Sequence, residues 1–115
     1  MHQKIDWQLA DNNAILVDLK DVYCKYEKDK YIEFIEADIT NYIDLEKRKY
    51  KRTSNEYTME IDFLDNVCKF TFPTQGDCSF DCLATLDIKD KNIILKYKIA
   101  DEEKIITIIM KEENI

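Results

Sequence analysis

Apolar and polar residues alternate along most of the chain, most clearly in 57–63 and 93–99. A period of two is the pattern of a β-strand with one buried face. Similar runs cover 5–9, 14–27, 31–38 and 104–111, and short polar stretches separate them. An open meander of this length would leave two exposed edges, and closure into a barrel would remove them. We therefore expect an all-β fold, an up-and-down antiparallel β-barrel of about eight strands in one domain over residues 1–115.

Two segments depart from simple alternation. In 14–27 the apolar positions are odd-numbered at first and even-numbered later, which indicates a β-bulge or a bend near Lys20 and Asp21. In 38–51 the apolar spacing also fits a short helix, so strand and helix both stay open there.

A hairpin is predicted in 67–87, which holds the only proline, Pro73, and the only glycine, Gly76. The even-numbered residues are apolar on both arms, so even positions should pair with even positions. A loop of three or five residues satisfies this register. We predict the longer loop, which gives the pairs Phe72–Cys78, Phe70–Phe80 and Cys68–Cys82.

The net charge of −7 argues against general binding to nucleic acid, which needs a surface that neutralises phosphates. The first residues carry charges and no apolar core of a signal peptide. The longest apolar run, 105–109, is far too short for a membrane span. We expect a cytoplasmic protein with neither a nucleic-acid nor a membrane partner.

The four cysteines resemble a metal site only superficially. On a strand, Cys78 and Cys82 would lie about 13 Å apart, too far to share a zinc ion. We expect reduced thiols that fill the inner face as small apolar residues, with a Cys68–Cys82 disulfide as the redox alternative. The only histidine, His2, lies near the terminus, and one glycine cannot build a phosphate-binding loop. We expect no enzymatic activity, cofactor or metal.

Two charged segments are candidate sites. The run 47–52 holds five basic residues, and alternation places Arg48 and Arg52 on the face opposite its lysines. A solvated strand is the favoured interpretation, but an inward arginine would need a partner and could contact an anion. Glu33 and Glu36 lie three residues apart, so on a strand they face opposite sides and do not form a catalytic pair.

Several short motifs follow the order seen in a known family. The segment Tyr31–Glu36, YIEFIE, resembles the Y-I-x-[YF]-x-E motif of the YwiB-like proteins, which are small bacterial barrels of the calycin (lipocalin-like) group. Arg52 followed by Met59 and Phe63, the hairpin segment 70–76, and the closing segments Thr85–Leu86 and Tyr97–Ile99 are similar to later motifs of that family. The resemblance implies an antiparallel calycin barrel and no specific activity, because the family is itself uncharacterised.

Barrels of this size either fill their interior with side chains or hold one small molecule. The leading hypothesis is non-enzymatic binding of a small, partly apolar ligand in or at the mouth of the barrel. Its predicted lining residues are Trp7, Tyr26, Phe34, Phe70 and Tyr97, with Arg48 and Arg52 as anion contacts. The alternative is a protein-interaction module that uses an edge strand or the basic 47–52 strand and has a filled interior.

Overall fold

The computed structural model describes residues 2–12 and 14–111, with side chains for all of these except residues 2 and 3. These residues form one antiparallel sheet of eleven strands. The short helix considered for 38–51 is wrong, since that segment contains two strands joined by a turn. No helix in the described ranges is long and apolar enough to cross a membrane. The strands are β1 (His2–Asp11), β2 (Ala14–Glu27), β3 (Tyr31–Glu36), β4 (Ile39–Asp44), β5 (Lys49–Thr53), β6 (Thr58–Asp62), β7 (Val67–Phe72), β8 (Gly76–Asp81), β9 (Leu83–Lys89), β10 (Asn92–Ile99) and β11 (Glu102–Lys111).

The sheet curls into a nearly closed, barrel-shaped body, as the sequence predicted, but with eleven strands rather than about eight. Its strand order is β8-β7-β6-β5-β4-β3-β2-β1-β11-β10-β9. The first and last strands of the chain are therefore hydrogen-bonded neighbours in the middle of the order. The two edges, β8 and β9, are consecutive in sequence and are separated by Cys82 alone.

The seam of the barrel lies at this break, and residues of the β4–β5 and β6–β7 turns form hydrogen bonds there. The backbone N–H of Cys82 donates to the carbonyl of Asn66 at 2.9 Å. The N–H of Ala84 donates to Oδ1 of the same residue at 3.1 Å. Further along β9, the guanidinium of Arg48 donates to the carbonyl of Leu86. Several backbone groups along this edge of β9 thus have hydrogen-bond partners although no strand pairs with it.

The bulge predicted near Lys20 and Asp21 is confirmed. The pairing of β1 with β2 shifts between Ile5 and Trp7, which are two residues apart on β1, while their partners Val22 and Leu19 are three apart. Asp21 has a φ of 57° at this point, and its N–H donates to Oδ1 of Asp6 at 3.1 Å. The extra residue explains why the apolar phase of β2 changes there.

The hairpin has the predicted even-to-even phase, but its loop has three residues, 73–75, rather than five. Phe70 lies opposite Cys78, and Cys68 lies opposite Phe80. The predicted opposition of Phe70 and Phe80 is therefore wrong by two residues, although their rings still stack diagonally, 5.7 Å apart. The run from Cys78 to Leu86 is also not one strand, since it breaks at Cys82.

The inward residues of nearly all strands pack into one core. Its largest fully buried side chains are Trp7, Tyr50 and Tyr97. Cys24, Cys68 and Cys82 are buried, as expected of small apolar residues. Cys78 is exposed, because it lies on the edge strand β8, most of whose side chains are in contact with solvent. Most of the barrel interior is consequently filled with side chains.

Candidate functional site at the barrel mouth

A cavity of about 410 Å³ lies at one end of the barrel, which is called the mouth below. The mouth is the end that carries the turns β1–β2, β3–β4, β5–β6, β7–β8 and β10–β11. Cavities of roughly 300–1,000 Å³ are typical of small-molecule sites. The lining residues are Leu9, Arg52, Tyr57, Met59, Phe70, Tyr97, Ile99, Glu102 and Lys104.

One wall of the cavity is apolar and is held by aromatic packing. The ring of Phe70 lies 5.6 Å from that of Tyr57 and 6.1 Å from that of Phe72, between centroids. Phe80 stacks on Phe70 from the next strand at 5.7 Å. Rings packed at these distances attract one another beyond the burial of their area, so the wall keeps a fixed shape.

Arg52 is the polar side chain that the cavity leaves without a partner. It lies on β5 between Asn41 of β4 and Met59 of β6, and it shares the inward phase of the buried Tyr50. Its Nε is buried without a hydrogen-bond partner. Within the described part of the chain, no carboxylate lies within 4.0 Å of its guanidinium and no acceptor binds it. The Arg52 side chain as a whole is partly exposed, and its Nε is the atom that is removed from water without an acceptor, which is energetically costly.

The other cation of the cavity is already neutralised. Nζ of Lys104 lies 3.2 Å from Oδ2 of Asp11, its direct partner across β1 and β11. Both side chains are about a quarter exposed, at 28% and 24%. Glu102 is exposed at the rim of the cavity. The cation of the cavity that lacks an ion-pair partner is therefore the partly buried guanidinium of Arg52.

Two buried tyrosines lie close enough to Arg52 for its charge to affect them. Burial raises the pKa of Tyr97, and the guanidinium of Arg52 opposes that rise. Burial likewise raises the pKa of Tyr50. Both hydroxyls therefore stay protonated near neutral pH. Tyr50 donates its proton to Oδ1 of Asn41 at 2.6 Å, whereas the hydroxyl of Tyr97 has no hydrogen-bond partner among the described residues.

The predicted ligand-binding residues fall into two groups. Phe70 and Tyr97 line the cavity. Trp7 and Phe34 do not, because they pack on each other in the core with their centroids 5.6 Å apart. Tyr26 packs against the core near the β2–β3 turn, at the end of the barrel opposite the mouth.

The two predicted anion contacts also separate. Arg52 lines the cavity, and Arg48 lies at the seam, where its guanidinium is bound by the carbonyl of Leu86. Neither arginine lies on the same face of the 47–52 run as the exposed Lys51, and both are partly buried. Because β5 has neighbours on both sides, this basic strand is not an edge.

Sequence reasoning missed the lining residues Leu9, Tyr57, Met59, Ile99, Glu102 and Lys104. They share a position, since each lies near the mouth end of its strand. In an up-and-down barrel alternate turns lie at the same end. Sorting the predicted turns into two alternating sets would have brought Tyr57 and Ile99 to the same end as Phe70.

The described side chains contain no group of three or more His, Cys, Asp or Glu residues placed to hold a metal ion. Glu33 and Glu36 lie on opposite faces of β3, as their spacing predicts, and Glu33 lies 3.9 Å from Lys25 on the outer side. No family model, curated protein or solved structure matches the chain.

Proposed function

We propose that the protein binds a small, partly apolar molecule in the cavity at the barrel mouth and catalyses no reaction. The observation that carries this proposal is the cavity itself, about 410 Å³ in volume, in a barrel whose interior is otherwise packed. Its aromatic wall offers apolar area at low entropic cost, and a few polar side chains can fix the orientation of a ligand.

We also propose that the barrel is of the calycin type and that the chain is related to the YwiB-like proteins. The support is the order of motifs in the sequence, together with an antiparallel, barrel-shaped sheet. In this proposal the protein acts in the cytoplasm, where its cysteines stay reduced.

Native mass spectrometry of the purified protein tests the binding function by detecting a co-purified small molecule. The matched variants are Ile99→Trp, which should fill the cavity, and Ile94→Trp, which lies on the outer face of the same strand. We expect Ile99→Trp to lose the bound mass and Ile94→Trp to keep it.

Titration of ligand-free protein with octan-1-ol, a neutral apolar probe, provides the second measurement. We expect saturable binding that Ile99→Trp weakens at least tenfold and that Ile94→Trp leaves unchanged. A protein that carries no bound molecule and does not bind the probe would rule out the proposed function.

The alternative function is a protein-interaction module, and the observation in its favour is the edge strand β8. Every residue of this strand except Phe80 is exposed, so its backbone could pair with a strand of a partner. Asp77 and Asp81 on the same strand disfavour edge-to-edge association, which is why ligand binding is the leading proposal.

A further inference from the structure

We propose that the ligand of the mouth cavity carries a carboxylate, which binds the guanidinium of Arg52 and accepts a second hydrogen bond from the hydroxyl of Tyr97. The apolar part of the ligand then packs on Leu9, Met59 and Phe70. This inference rests on the proposed binding function and specifies its chemistry.

The first argument is the missing partner of Arg52. A guanidinium that is partly buried and has a desolvated nitrogen ordinarily finds a carboxylate or another acceptor, because desolvation without a partner is costly. Arg48 of the same basic run follows this rule by donating to the carbonyl of Leu86. Arg52 does not, since its buried Nε has no acceptor and its whole guanidinium lacks an ion pair within the described residues. An anion in the adjoining cavity would supply the acceptor that the guanidinium of Arg52 lacks.

The second argument is that the other groups of the cavity do not compete for this anion. Lys104 is neutralised by Asp11 at 3.2 Å, so Arg52 is the stronger anchor. The hydroxyl of Tyr97 is protonated near neutral pH, lines the same cavity and lacks a partner among described residues. One forked cation and one neutral donor suit a single, planar anionic group.

The third argument selects a carboxylate over a phosphate. A phosphate carries close to two negative charges near neutral pH. Here it would meet one uncompensated cation, with Glu102 at the rim and a net charge of −7 on the whole chain. A carboxylate brings a single charge, and its two oxygens match the two parallel N–H groups of a guanidinium.

The experiment compares two probes that differ only at the head group, octanoate and octan-1-ol, by calorimetric titration of ligand-free protein. We expect the wild-type protein to bind octanoate at least tenfold more tightly than octan-1-ol. Arg52→Met, which keeps the volume and removes the charge, should abolish this preference, so that the ratio of the two affinities falls to about one. Lys51→Met removes the same charge from the outer face of the neighbouring position and should change neither affinity.

Two further variants separate the roles of charge and geometry. Arg52→Lys keeps the positive charge but lacks the two parallel N–H donors of a guanidinium, so it should retain part of the preference for octanoate. Tyr97→Phe removes the second donor and should lower the ratio of octanoate to octan-1-ol affinity several-fold. Should Arg52→Met fail to fold, these two variants decide the question, because unchanged octanoate binding in both would overturn the carboxylate site.

The outcomes distinguish this inference from the function on which it rests. If the wild-type protein binds both probes equally, or if Arg52→Met keeps the preference for octanoate, the carboxylate inference is wrong and the binding function stands. If neither probe binds, the binding function itself fails. Tighter binding of octan-1-ol than of octanoate would also refute the inference, because it would show that the cavity does not favour an anionic head group.

Discussion

The hydroxyl of Tyr50 donates a 2.6 Å hydrogen bond to Oδ1 of Asn41, across the neighbouring strands β4 and β5 and inside the barrel. Asn41 is fully buried, and Tyr50 is 1% exposed. The amide nitrogen of Asn41 has only a long contact, 3.5 Å, to the carbonyl of Ile39. The hydrogen bond from Tyr50 is therefore what makes a polar side chain tolerable at this point of the core.

Tyr50→Phe should destabilise the protein by about 1–3 kcal/mol, because it leaves the buried oxygen of Asn41 without a donor. Urea unfolding measures this change. Tyr42→Phe, on the outer face of β4, is the matched control and should cost less than about 0.5 kcal/mol. Combining Tyr50→Phe with Asn41→Leu should cost less than the sum of the two single changes, and strict additivity would show that the bond contributes nothing.

The cysteines provide a second prediction. Burial raises the pKa of Cys68 to about 12, and burial also raises the pKa of Cys82. Cys24 is buried as well, whereas Cys78 is exposed on β8. Because the thiolate is the reactive form, a pKa of this height makes the thiolate fraction of Cys68 near pH 8 roughly a thousandfold smaller than that of an ordinary thiol, so Cys68 should react slowly.

A disulfide reagent should therefore modify one thiol quickly in the native protein and all four after denaturation. Cys78→Ser should remove the fast phase, and Cys82→Ser should leave it in place. A total of two thiols after denaturation would instead show that one disulfide is present, for which Cys68–Cys82 is the pair that the sequence also allowed.

The parts of the fold that the sequence predicted are those set by neighbours along the chain. Alternation predicted most strands, and the change of phase in β2 correctly located the bulge at Asp21. The seam at Cys82 was missed because it depends on the pairing of β1 with β11, a contact between the ends of the chain. The loop of the β7–β8 hairpin was wrong for a different reason, since three and five residues satisfy the same phase.

The candidate site was predicted in part for the same physical reason. Phase along a strand indicated that Phe70 and Tyr97 point inward and placed Arg52 on the face opposite the lysines, and all three line the cavity. Phase carries no information on depth, so it did not separate these residues from Trp7 and Phe34, which lie in the filled core. Nor did it show that Lys104 would be neutralised by Asp11, a residue far away in sequence.

The bulge in β2 provides a prediction about acid stability. Burial of the Asp6 carboxylate raises its pKa, but hydrogen bonds from the N–H of Asp21 and from Lys111 outweigh this effect and hold the pKa below its usual value. A lowered pKa in the folded state means that Asp6 stabilises the protein above its ordinary pKa in the unfolded chain. This contribution is lost as the pH falls through the lower, folded value.

Asp6→Asn should therefore cost about 1 kcal/mol near neutral pH, and the difference from the wild-type protein should shrink as the pH falls through the lowered pKa of Asp6 in the folded state. Urea unfolding across this range measures both effects. Asp18→Asn, which removes a 45% exposed carboxylate beside Lys20, should change stability by less than about 0.5 kcal/mol across this range. A difference for Asp6→Asn that grows on acidification would contradict the assignment.

The aromatic contact between β7 and β8 leads to the last prediction. Phe80 lies opposite Cys68 and stacks diagonally on Phe70, with 5.7 Å between centroids and 23° between ring planes. It is only half-buried, because β8 is an edge strand. Phe80→Ala should therefore cost about 2 kcal/mol, roughly half of what a fully buried phenylalanine contributes.

The controls for this variant come from the same strand. Ser79 lies opposite Lys69 and Asp81 lies opposite Val67, and both are exposed, so Ser79→Ala and Asp81→Ala should each cost about 0.5 kcal/mol or less. A double-mutant cycle with Phe70→Ala should return a coupling of about 0.5–1.5 kcal/mol, the range of a stacked pair. If Asp81→Ala destabilises the protein as much as Phe80→Ala, or if the coupling is zero, the side chain of Phe80 does not face the barrel. In that case Phe80 does not pack against Phe70 in the aromatic wall of the cavity.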